Sequence, residues 1–130
     1  MNILFICRYN RFRSVLAESF FKKYNKNRKF NARSSGLIKG YPIDKHIKEL
    51  AKKLKIKIKK EPEGLTTKIL NWQDLLVIMA DDVPISAFKN KRYIKKIKVL
   101  KVRDVFNNND RIKVAENVER RIKQLIKELK

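Results

Sequence analysis

A single cysteine, Cys7, precedes Arg13 by six residues, and a hydroxyl residue, Ser14, follows that arginine directly. A thiolate is a strong nucleophile, and a guanidinium is a planar, permanently charged fork that matches two phosphoryl oxygens. Together they could attack and grip a phosphate ester. The segment Cys7-Arg8-Tyr9-Asn10-Arg11-Phe12-Arg13-Ser14 joins two contrasting stretches. Met1-Asn2-Ile3-Leu4-Phe5-Ile6 is short and apolar, as a buried strand should be, whereas Val15-Leu16-Ala17-Glu18-Ser19-Phe20-Phe21 has helical spacing. A loop that leaves a strand's carboxyl end and opens a helix gathers unpaired N–H groups and the positive end of the helix dipole, which favour an anion and an ionised thiol. A lone cysteine is more often a small, inert hydrophobe. Here the arginine spacing, the adjoining serine and the strand-to-helix setting together favour the chemical role.

Displacing an alkoxide or phenoxide from phosphorus also calls for a proton donor near the leaving oxygen. Asp104 is the best-placed carboxylate, because it directly follows a predicted final strand in Val102-Arg103-Asp104-Val105-Phe106. Asp81, Asp82 and Asp110 are its rivals, and an ordinary loop or capping role is the alternative.

The elements that would position these groups alternate between strand and helix. Lys29 to Ser34 reads as a second strand, stopped by Ser35-Gly36, and Asp44 is placed to cap a helix running to about Lys55 with Ile47, Leu50, Ala51 and Leu54 on one face. Glu61-Pro62-Glu63-Gly64 is a break, and Leu65 to Leu70 has the character of a short helix. Asp74-Leu75-Leu76-Val77-Ile78-Met79-Ala80 carries the strongest buried-strand signal, ended by Asp82-Val83-Pro84. Ile97 to Val102 alternates as a last strand, and Asp110 opens an amphipathic helix with Val114, Val118, Ile122, Leu125 and Leu129 on its stripe. Repeated βα units predict an α/β three-layer sandwich: a central, roughly four-stranded parallel sheet flanked by helices. The strand ends near Cys7, Ser35, Met79 and Val102 then share one edge.

Composition narrows the function classes. A chain of 130 residues with 43% hydrophobic content suits one domain over 1–130 with one packed core. There is no internal repeat and no linker long enough to separate domains. No apolar run approaches the roughly 18 residues of a membrane span, and the first strand has no basic flank or cleavage site of a signal peptide, so the expected location is cytoplasmic. One cysteine excludes an internal disulfide and a thiolate-rich zinc site. The net charge of +21 concentrates anions of any kind, phosphorylated substrates and nucleic acid alike. Most of the excess is lysine spread along helices, which solvated faces explain, and no nucleic-acid-binding motif accompanies it.

The Cys7 to Ser14 segment resembles the C-x5-R-S phosphate loop of the low-molecular-weight protein tyrosine phosphatases. Weaker likenesses run along nearly the whole chain: Ser34-Ser35-Gly36 resembles the family's Ser-Ala-Gly, Gly40-Tyr41-Pro42-Ile43-Asp44 its Gly-x-Pro-x-Asp, and Leu75 to Met79 the strand before its short helix. The resemblance implies that Asn10 holds the loop in its strained shape and that Ser14 donates towards the thiolate. It also implies that Asp104 is the general acid, with Val105 and Phe106 standing where the family has proline and tyrosine. Tyr9 and Phe12 are departures: many members have glycine before the asparagine, and some have a second cysteine where Phe12 stands. Without that cysteine, the nucleophile cannot be protected as an internal disulfide.

The implied mechanism is two-step covalent catalysis without metal or cofactor. The backbone N–H groups of residues 8 to 13 cradle the phosphate, Arg13 grips it, Cys7 attacks phosphorus, and Asp104 protonates the leaving oxygen and then activates water. Arg8 and Arg11 are expected to point outward and attract anionic groups flanking the phosphate, or else to be solvated charges. Tyr9, Tyr41 and Phe106 are candidate walls for a phenyl ring. The expected partners are a phosphorylated protein or small phosphate ester, with inorganic phosphate as product and inhibitor; neither a membrane nor nucleic acid is an expected partner. Phosphoserine, small esters and acyl phosphates stay open as substrates. The competing readings are an arsenate reductase dependent on external thiols, a phosphate-binding module without turnover, and a nucleic-acid binder argued from charge alone.

Overall fold

The computed structural model describes residues 1–88, 94–105 and 107–129. Its strands are β1 (Asn2–Cys7), β2 (Asn31–Gly36), β3 (Leu75–Ile78) and β4 (Ile97–Val99), and its helices are α1 (Arg13–Tyr24), α2 (Lys45–Lys53), α3 (Thr67–Trp72) and α4 (Asn108–Glu128). The strands form one sheet in the order β2-β1-β3-β4, every neighbouring pair parallel. A strand covered on both faces reads as a continuous apolar run, and Ile3 to Ile6 are all fully buried. Alternate residues divide between two layers. Ile3, Phe5 and Val77 pack with Phe20 of α1, Ile47 of α2 and Val118 of α4; Leu4, Ile6, Leu76 and Ile78 pack with Ile69 of α3 and with Phe88. The α4 stripe of Val114, Val118, Ile122 and Leu125 is buried as its spacing predicts, and each such side chain contributes roughly 1.5–3 kcal/mol of transfer free energy.

The short helix expected over Leu65 to Leu70 forms at Thr67–Trp72 behind its Thr66 cap, the strand expected over Asp74 to Ala80 is Leu75–Ile78, and three further boundaries differ for local reasons. The second strand is Asn31–Gly36, two residues beyond the expected span, because its register is set by pairing with β1 from Asn2↔Asn31 to Cys7↔Gly36. The last strand stops at Val99 because β3 offers no partner past Ile78, and the chain then turns inward until Val102 is buried. The final helix is capped by Asn107, whose Oδ1 accepts from the Asp110 amide at 2.8 Å, so Asp110 lies in its first turn. Asp44 caps α2 as expected, accepting from the Ile47 amide at 2.9 Å.

In the order β2-β1-β3-β4, the chain goes to one side of β1 first and to the other side afterwards. The loop leaving β1 therefore opens at the switch point, where an open parallel sheet leaves a crevice for a ligand.

Candidate active site

Residues 7–13 close a tight curl between β1 and α1. The carbonyls of Cys7, Arg8 and Tyr9 accept from the amides of Leu37, Ile38 and Gly40 at 3.1, 3.2 and 3.1 Å. A trans peptide directs its N–H opposite to its C=O, so the amides of Arg8, Tyr9 and Asn10 turn away from that segment as a row of donors. Close backbone approach requires Gly36, where an added Cβ would lie 2.4 Å from the Ile38 carbonyl and 2.7 Å from the Tyr9 carbonyl carbon. Asn10 makes the sharp bend with φ of 55°, the left-handed region that asparagine tolerates better than most residues.

Asn10 is wholly buried and satisfied on both ends of its amide. Its Nδ2 donates to Ser14 Oγ at 2.8 Å and Ser34 Oγ at 3.0 Å, while its Oδ1 accepts from the Glu63 amide at 2.9 Å. Ser34 in turn donates to Glu18, a buried carboxylate on α1 that also pairs with Lys22. Ser14 Oγ lies 3.0 Å from Cys7 Sγ. When Cys7 is ionised its sulfur can only accept, and the Ser14 hydroxyl then donates to it while its oxygen accepts from Asn10.

Among the described residues Arg13 is the largest fully buried side chain, and its guanidinium is held from several directions. It donates to the Val102 carbonyl at 2.9 Å, approaches Asp82 at 2.9 and 3.3 Å and Asp81 at 3.5 Å, and comes within 4.0 Å of Asp104. Burial alone would lower its pKa. The Asp82 hydrogen bond and the negative charges of Cys7, Asp82 and Asp104 outweigh that cost and raise it, so the fork stays charged.

Cys7, Tyr9, Arg11, Phe12, Arg13, Ile47, Asp104, Val105 and Arg111 line one cleft of about 250 Å³. The sheet thus brings the cysteine, the arginine and Asp104 together. Asn10 and Ser14 lie beneath the cleft, where they hold the loop and the sulfur. Arg8 is exposed beside the Tyr9 ring and outside the cleft lining, whereas Arg11 lines it. Of the expected aromatic walls, Tyr9 lines the cleft and Tyr41 stands 83% exposed away from it; Phe106 lies outside the described residues. Sequence reasoning ranked Asp82 as a rival general acid and did not foresee it as the carboxylate nearest Arg13. As members of the site, Glu18, Ile47 and Arg111 carry no mark of that role in the sequence. Helix periodicity placed Ile47 on a buried face, which was the only available signal. Among the described residues, no group of three or more His, Cys, Asp or Glu side chains could hold a metal ion, and no helix is long and apolar enough to cross a membrane.

The family model described as low molecular weight phosphotyrosine protein phosphatase matches residues 2–130. Solved structures with the same fold include a low molecular weight protein tyrosine phosphatase from T. tengcongensis, 25% identical with a TM-score of 0.83, the match covering 98% of this chain and 99% of that one. The YwlE arginine phosphatase from Geobacillus stearothermophilus is 18% identical with a TM-score of 0.82, over 98% and 92% of the two chains. An arsenate reductase from Archaeoglobus fulgidus is 23% identical with a TM-score of 0.78, over 95% and 98%. No curated protein matches.

Proposed function

Because the chain belongs to the low molecular weight phosphotyrosine protein phosphatase family, whose matching model spans residues 2–130, we propose that it hydrolyses aromatic phosphomonoesters of the phosphotyrosine type through a cysteinyl-phosphate. The observation that carries this reading is the shared cleft of Cys7, Arg13 and Asp104, with Ser14 at 3.0 Å from the sulfur. In the first step, Cys7 Sγ bonds to phosphorus as the ester P–O bond breaks, and Asp104 gives its proton to the departing phenoxide. Arg13 and the loop amides carry the charge that builds on the equatorial oxygens. In the second step, Asp104 takes a proton from water, whose oxygen bonds to phosphorus as the P–S bond breaks. The products are inorganic phosphate and the thiolate, which the Ser14 hydroxyl receives.

Tyr9, Phe12 and Val105 supply the apolar and aromatic surface that a phenyl ring needs, which favours an aryl ester over a phosphoserine too short to reach it. A phosphoarginine would bring its own guanidinium against Arg11 and Arg111. An arsenate reductase would have to draw on external thiols for every step after Cys7, the chain's one cysteine.

The test is kcat/KM on a panel of phosphotyrosine, phosphoserine and phosphoarginine peptides, with arsenate plus a small thiol as a further arm. The expected order has phosphotyrosine first. Faster turnover of phosphoarginine, or arsenate reduction without ester hydrolysis, would overturn the assignment.

A further inference from the structure

We propose that Arg11 and Arg111 form a second anion subsite at the mouth of the cleft, selecting phosphotyrosyl polypeptides that carry an acidic residue beside the phosphorylated one. This rests on the phosphatase reading above and names its substrate class more narrowly. Both arginines line the cleft that holds Cys7 and Arg13. They reach it from distant parts of the chain, one from the phosphate loop and one from α4. Both lean on a single carboxylate: Arg11 Nη2 lies 3.9 Å and Arg111 Nη2 3.2 Å from the same oxygen of Asp44. Two guanidiniums against one carboxylate leave one positive charge in excess at this rim. Asp104, the carboxylate that lines the cleft, does not offset it, because it sits with Asp81 and Asp82 around Arg13.

The pair is also held in place, unlike a solvated surface charge. Arg11 donates to the Pro42 carbonyl at 3.1 Å, and its stem fills the space beside Gly40, where an added Cβ would sit 2.8 Å from Arg11 Cγ and Cδ. Arg111 lies over the Phe12 ring with its side chain only 12% exposed. The Nε of each is buried with no hydrogen-bond partner among the described residues. A guanidinium carries five N–H donors, and the contacts of Arg11 with Pro42 and Asp44 and of Arg111 with Asp44 are made through Nη2, which leaves Nη1 donors of both uncommitted among the described residues. Fixed, donor-rich cations bind a carboxylate with little ordering cost. A phosphate seated over Cys7 directs the rest of its substrate out past this rim. The exposed side chains of Ile38 and Tyr41 on the adjoining loop offer further surface to an extended polypeptide.

The experiment compares phosphotyrosyl peptides with Glu, Ala or Lys next to the phosphotyrosine, by kcat/KM on the unaltered protein and by binding to its Cys7→Ser variant. The Glu peptide is expected to lead the Ala peptide by about tenfold, or about 1.4 kcal/mol, at low ionic strength, with the gap narrowing in high salt. In the Arg11→Met/Arg111→Met variant the ratio falls to about one. Arg11→Glu, which leaves the Arg111–Asp44 tie between α4 and α2 intact, moves the preference to the Lys peptide. Equal values for Glu and Ala peptides, or a preference that survives in the double variant as the general +21 charge would maintain, overturns the subsite. Tight, Glu-selective binding without turnover would sink the phosphatase reading and leave the subsite standing; turnover of all peptides alike would do the reverse.

Discussion

Replacing Asn10 by alanine should damage stability and catalysis together, by an amount the local structure allows to be worked out. The substitution removes three hydrogen bonds, to Ser14, Ser34 and the Glu63 amide. At about 1 kcal/mol each they account for about 3 kcal/mol. Alanine must also hold φ near 55°, which adds about 1–2 kcal/mol. The expected loss is about 4–5 kcal/mol, a large share of the roughly 5–15 kcal/mol that holds a domain folded. Asn10→Gly separates the two parts. Glycine loses the same bonds and avoids the left-handed cost, but gives back about 0.5–1 kcal/mol in backbone entropy, so it should be about 0.5–1 kcal/mol more stable than alanine. Urea unfolding of the three proteins, read from midpoints at constant slope, measures both differences. Phosphatase kcat/KM should fall at least about tenfold in both variants, because Ser14 loses the partner that orients its proton at Cys7. An alanine variant within about 1 kcal/mol of the parent, or one at least as stable as the glycine variant, would refute this view of the loop.

Three further outcomes follow from the same geometry. Arg13→Lys keeps the charge and loses the fork, and should cost at least about a hundredfold in kcat/KM; near-parental activity would refute the bidentate grip assigned to Arg13. Asp104→Asn should slow esters with poor leaving groups strongly and activated aryl phosphates much less, whereas equal losses across leaving groups would mark a structural role and turn attention to Asp81 and Asp82. Asp44 governs an acid-side effect. Burial would raise its pKa, but the Ile47 amide, Arg111 and Arg11 outweigh burial and depress it below the ordinary aspartate value. A depressed folded pKa means that its stabilisation is fully present above the unfolded value of about 3.9 and is lost as pH falls through the folded one. Asp44→Asn keeps a capping oxygen and removes the charge, so its urea midpoint should fall less than the parent's between pH 5 and very acidic solution. Parallel falls would refute this role for Asp44.

What the sequence revealed, and what it hid, follows the range of the interactions. The core strands were legible because burial on both faces leaves continuous apolar runs such as Ile3 to Ile6 and Leu75 to Ile78. β2 was placed two residues early because Ser35-Gly36 reads as a stop, although both residues are buried and paired with β1 as the end of the strand. In α1 every residue from Arg13 to Phe21 is buried, including Glu18, a placement that no apolar stripe in the sequence signals. Within the phosphate loop, Cys7, Asn10, Arg13 and Ser14 stand close enough in the chain for their types and spacing to suggest a joint role. The carboxylates around Arg13 depend on tertiary placement, and sequence adjacency to a strand end could nominate Asp104 and Asp82 without ranking their distances. Arg111 had no local signal at all, being one basic residue among many on a lysine-rich helix.

The central claim is that a phosphoryl group passes through the sulfur of Cys7. Acid quenching during steady-state turnover of a phosphotyrosine peptide, followed by mass spectrometry of the intact chain and its N-terminal fragment, looks for that intermediate directly. A phosphate-mass adduct on the Cys7 fragment should form within the first turnover and decay as substrate is exhausted, and Cys7→Ser should lose turnover while still binding the peptide. Sustained hydrolysis by Cys7→Ser would contradict the covalent route through this residue.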